Sequence, residues 1–158
     1  MIKHLAPALA VCIALPAWAV DLDAVNSCID TARAEQGNPN QCIDAAHQPC
    51  LVDSAEAPAA AILCFTEARE TWSEGIASRM DTLRANAPED IAALAGIEVK
   101  YDLLASLVQC DRLEELGRLR DAPTEQVVLQ KARCTATASG LAYTRLLWRL
   151  PDPEESPE

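Results

Sequence analysis

Cys110-Asp111-Arg112-Leu113-Glu114-Glu115-Leu116-Gly117-Arg118-Leu119-Arg120-Asp121-Ala122-Pro123-Thr124-Glu125-Gln126-Val127-Val128-Leu129-Gln130-Lys131-Ala132-Arg133-Cys134 is the stretch that decides the fold. Both arms read as helix, and Asp121-Ala122-Pro123-Thr124 breaks them. Helices joined by so short a link lie antiparallel. Cys110 stands twelve residues before Ala122 and Cys134 twelve after it, so the fold-back brings the two level and predicts a Cys110–Cys134 disulfide.

Outward from this hairpin the same reading continues. Pro58 to Ala87 is a long helix with the stripe Ala61, Phe65, Ala68, Trp72, Ile76 and Leu83, and Pro88 ends it. Glu89 to Asp121 is the next, opened by Glu89 and Asp90 where the helix dipole favours acid. Its stripe is Ile91, Leu94, Ile97, Tyr101, Leu104 and Val108, with Leu103, Leu107 and Cys110 beside it. Two apolar lines predict a helix packed between neighbours. The last long helix starts at Thr124 with an acidic first turn and runs to about Leu150 through Leu129, Ala132, Ala136, Gly140, Tyr143 and Leu147. Towards the N-terminus, Asp23 to Gln36 has helical spacing and Gly37-Asn38-Pro39-Asn40 is a turn. A short helix is expected from an Asn40 N-cap to His47, ended by Pro49, with Leu51 to Glu56 as a loop. The expected fold is all-α: an elongated antiparallel bundle of three long helices, each of about 28 residues and roughly 42 Å, with a short helical N-terminal cap. Abundant Ala and Leu and scarce Gly agree with helix.

Residues 1–19 read as a secretory leader. Lys3 and His4 precede the apolar run Leu5–Leu15, Pro16 breaks it, and Ala17-Trp18-Ala19 is a cleavage site, placing the cut between Ala19 and Val20. The run is too short to span a bilayer, and no later segment is long enough. The domains expected are the leader, one helical domain over 20–150 and a disordered acidic tail over 151–158. The expected compartment is the periplasm or the exterior.

Export gives the cysteines their meaning. Six of the seven lie beyond the leader, and an even set in an oxidising compartment reads as a disulfide framework. Cys28 and Cys42 are fourteen apart, as are Cys50 and Cys64, and each pair brackets a turn. This favours Cys28–Cys42 and Cys50–Cys64, against the rival Cys28–Cys64 with Cys42–Cys50. Cys42, His47 and Cys50 lie close enough to suggest a metal site, but no CxxC and no second ligand pair accompany them. No metal and no cofactor are expected.

Loss of the leader moves the formal charge from −11 to −12, with 12 basic against 24 acidic residues. Such a chain repels nucleic acid and attracts basic partners. The mature chain has one histidine, His47, and contains no GxSxG, HExxH or Gly-rich phosphate loop, so no catalysis is expected. The carboxylate runs Glu67, Glu70, Glu74 and Asp111, Glu114, Glu115 are the candidate partner-binding residues. The plainer reading of these runs is solvated helix faces salt-bridged to Arg69, Arg112 and Arg118.

The cysteine framework, with Ala60-Ala61-Ile62-Leu63-Cys64-Phe65-Thr66-Glu67 leading to Trp72, then Met80-Asp81-Thr82-Leu83, and Cys110 and Cys134 ahead of Thr144-Arg145-Leu146-Leu147, resembles the lysozyme-inhibitor LprI-like N-terminal domain family. The resemblance covers about residues 25–150 of these small exported helical proteins. One stretch departs from the pattern. The family usually carries a Trp and an aromatic-Arg-Asp triplet ahead of the middle-helix cysteine, where this chain has Asp102-Leu103-Leu104-Ala105-Ser106-Leu107-Val108-Gln109-Cys110. The resemblance implies a periplasmic protein that binds and inhibits lysozyme. Since many lysozymes are strongly basic, the charge agrees with that expectation. The alternative is a cell-envelope structural or interaction module with an unrelated partner.

Overall fold

The computed structural model describes residues 20–52 and 54–150. The whole leader, residues 1–19 with the cleavage residue Ala19, and the tail 151–158 lie outside the described residues. Five helices follow in order: α1 (Leu22–Ala34), α2 (Gln41–Leu51), α3 (Pro58–Asn86), α4 (Glu89–Leu119) and α5 (Thr124–Arg149). The fold is all-α. α5 is the shared element, packing against α3 on one side and α4 on another, while α1 and α2 close over α3 and α5.

Local chemistry sets the boundaries. Asp21 caps α1, its carboxylate accepting from the backbone N–H of Asp23 at 3.0 Å and of Ala24 at 3.1 Å. Pro58 opens α3, where its missing N–H costs nothing. α4 ends with Asp121 at φ 53°, a left-handed residue that lets the Ala122 N–H reach the Gly117 carbonyl at 3.1 Å. Asp tolerates that conformation better than most residues.

The start and end of α2 both differ from the sequence expectation. The Asn40 side chain makes no cap bond; the Asn38 amide oxygen accepts from the Asn40 N–H at 3.1 Å instead. Pro49 lies inside the helix, which continues to Leu51. A proline in the last turn removes one hydrogen bond near an end that is already fraying. The Cys50–Cys64 bridge, with Cα atoms 5.4 Å apart, ties that turn to α3.

The predicted α3 stripe is the core: Ala61, Phe65, Ala68, Trp72, Ile76 and Leu83 are all buried. Trp72 and Phe65 are wholly enclosed, together with Ile29 of α1 and Ile43 of α2. α5 meets this surface with Ala136, Gly140 and Tyr143. A Cβ at Gly140 would lie 3.1 Å from Ile43 and from the Trp72 indole, and one at Gly75 would lie 2.9 Å from the Tyr143 ring. Each long helix thus gives up a side chain where the other inserts an aromatic ring, and the two backbones approach closely.

α4 corrects an expectation. Its buried residues are Ala92, Ala95 and Cys110, with Val99 and Leu103 packed at the edge of the core. Leu94, Ile97, Tyr101, Leu104 and Val108, expected to pack inward, face solvent. Periodicity identifies which residues share a face, and here only one of the two faces has a neighbour. The alanines form the close contact, so the larger residues are turned away from it.

Candidate functional site

The three disulfides join Cys28 to Cys42, Cys50 to Cys64 and Cys110 to Cys134, with Cα separations of 5.8, 5.4 and 5.6 Å. All lie in the usual range for an unforced bridge. They fit an oxidising compartment. No helix among the described residues is long and apolar enough to cross a membrane.

His47 lies elsewhere than at the loop or helix end expected of it. It is buried on α2 between Phe65 and Trp72, whose rings it meets edge-on at 5.4 and 6.0 Å. The Trp72 indole N–H donates to His47 Nε2 at 3.1 Å. That bond requires an unprotonated Nε2. Burial pushes the imidazole from 6.5 down to about 4; Asp44 opposes the shift and Arg133 reinforces it. His47 is therefore a neutral acceptor in the core. Cys42 and Cys50, its neighbours in the suggested metal set, are both tied up in disulfides.

The candidate carboxylates fall into two groups. Asp111 and Glu114 of α4 both bind Lys131 of α5, the Glu114 oxygen at 3.1 Å, and Glu114 also pairs with Arg118 one turn on. The hydrogen bond that the Lys131 ammonium donates to the Asp111 carboxylate holds it above its ordinary range. These acids brace the α4–α5 hairpin beside the Cys110–Cys134 bridge. Glu115 is exposed on the same helix.

Glu67, Glu70 and Glu74 lie on a different helix, α3, at steps of three and four, so they form one line along it. Glu70 and Glu74 are exposed and Glu67 is half-buried. The nearest ion pair along this line is Arg69 with Glu70 at 4.0 Å, the outer limit of such a contact. This carboxylate line keeps most of its charge available to solvent, whereas the α4 group has spent much of its charge on α5.

Two other surface features accompany it. A cleft of about 490 Å³ lies over the Cys110–Cys134 bridge, lined by Ser106 and Gln109 of α4, Gln130 and Arg133 of α5, and Asp44 of α2. The solvent-facing apolar side chains of α4 form the second feature. The sequence contained a signal for it, since those residues are a stripe, but nothing in a single chain says which stripe is left uncovered.

Comparison with protein-family models, with curated proteins and with solved structures finds no match to this chain.

Proposed function

We propose that this chain is an exported, non-catalytic binding protein that engages a basic protein partner, with lysozyme as the first candidate. The observation that carries the reading is the line of Glu67, Glu70 and Glu74, largely unneutralised on the outer face of a helix whose other face is the rigid core. A row of like charges on a fixed scaffold costs self-repulsion and is compensated when a cationic surface meets it. The formal charge, −12 once the leader with Lys3 is removed (12 basic against 24 acidic residues), steers such a surface in from a distance. The three disulfides support a site of action in the periplasm or outside the cell. The family resemblance supplies lysozyme as the named candidate.

The test is lysis by a purified basic lysozyme with and without the oxidised chain, at low and at moderate salt. Stoichiometric inhibition that persists at moderate salt supports the reading. Inhibition lost at moderate salt reduces it to generic charge attraction, and no inhibition at either salt removes lysozyme as the partner.

A further inference from the structure

α4 presents Leu94, Ile97, Tyr101, Leu104 and Val108 to solvent, at 55, 52, 65, 50 and 46 % exposure. The spacing alternates strictly between three and four residues, the repeat that meshes knobs into holes with a second helix at a shallow left-handed crossing. The seam runs for roughly 21 Å at the helical rise. With Leu107 beside it, the patch amounts to on the order of 500 Å² of apolar surface, near the upper end of what a monomer shows.

We propose that this seam pairs two copies of the chain, α4 against α4, antiparallel about a twofold axis. Two such patches remove at most on the order of 1,000 Å² from water in total, about the smallest area of a specific interface. The local charges permit it despite the acidic chain. On the flank towards α5, Glu98 is bound by Arg149 at 2.8 Å and Asp102 by Arg145 at 3.0 Å, so neither faces a second copy as a bare charge. With the twofold between Asp102 and Leu103, Ile97 meets Val108 of the second copy and Tyr101 meets its Leu104. Lys100 then falls beside Leu107 of the second copy, where its aliphatic stem covers apolar surface and no cation opposes it. The seam is separate from the carboxylate line on α3 and does not rest on the basic-partner reading. The two respond oppositely to salt: screening weakens a basic partner's attraction but relieves repulsion between two acidic copies.

Sedimentation equilibrium of the oxidised chain, over a concentration series at low and high salt, tests this. The expected result is a dimer that tightens with salt. Tyr101→Lys and Leu104→Glu, each on an exposed position, should separately weaken it roughly thirtyfold or more while leaving the helical circular-dichroism signal unchanged. An equimolar mixture of the two should regain dimer, because one native Tyr101–Leu104 layer returns and the other becomes Lys against Glu. A wild-type chain that stays monomeric up to about 1 mM overturns the proposal. So do variants that dimerise as wild type does, or a mixture that fails to recover.

Discussion

The indole of Trp72 occupies the space that a side chain at Gly140 would fill: a Cβ there would come within 3.1 Å of Cε2 and 3.2 Å of Nε1. Trp72 is fully buried and its N–H is held by His47, while Ile43 closes the other side, so no neighbour can yield cheaply. Gly140→Ala gains about 1 kcal/mol of helix propensity but overpacks a crossing that cannot widen. The expected net loss is up to about 2 kcal/mol, read as a lower urea midpoint. An equal or higher midpoint would show that α3 and α5 are not locked at this contact.

The burial of His47 also makes stability depend on pH. Because the folded imidazole titrates at about 4 against 6.5 unfolded, the unfolded chain binds the extra proton between those values. This contribution is fully present above pH 6.5 and is lost as pH falls from there to about 4, by roughly 3 kcal/mol in all. Below about 4 both states are protonated and the loss is complete. Unfolding measured from pH 7 to 4.5 should show this slope in wild type, and His47→Gln should flatten it. An imidazole proton titration near 6.5 in the folded chain would contradict the buried, acceptor role.

The disulfides should act mainly on the unfolded chain. Loops of 14, 14 and 24 residues correspond to about 3 kcal/mol each in the chain-entropy model. Reduction should lower the melting temperature substantially yet leave much of the helical signal, because Phe65, Trp72, Ile29 and Ile43 supply most of the apolar bulk of the core. Equal melting temperatures for oxidised and reduced samples would mean that the bridges add little to this fold.

The α3 stripe and the Cys110–Cys134 pairing were legible because each depends on one helix or one turn: a 3.6-residue period, or equal distances from Ala122. His47 was misplaced because Pro49 reads as a stop, whereas a last-turn proline pinned by Cys50–Cys64 does not end α2 there. The reversed face of α4 was not legible for a different reason. Ala92 and Ala95 outcompete Leu94 and Ile97 for the contact because small residues allow the closer approach, a choice made only in three dimensions. The carboxylate runs looked alike in sequence; Lys131, twenty residues from Asp111, separates the braced group from the open one.

The most direct test of the basic-partner account is the affinity of the oxidised chain for lysozyme, by titration calorimetry at moderate salt, against the variant Glu67→Gln, Glu70→Gln, Glu74→Gln. The carboxylates are exposed or half-buried, so the variant should fold unchanged. The account predicts wild-type binding with defined stoichiometry, weakened roughly tenfold or more in the variant, while Glu115→Gln alone has little effect. Equal affinities for wild type and the triple variant, or no binding by wild type, would contradict it.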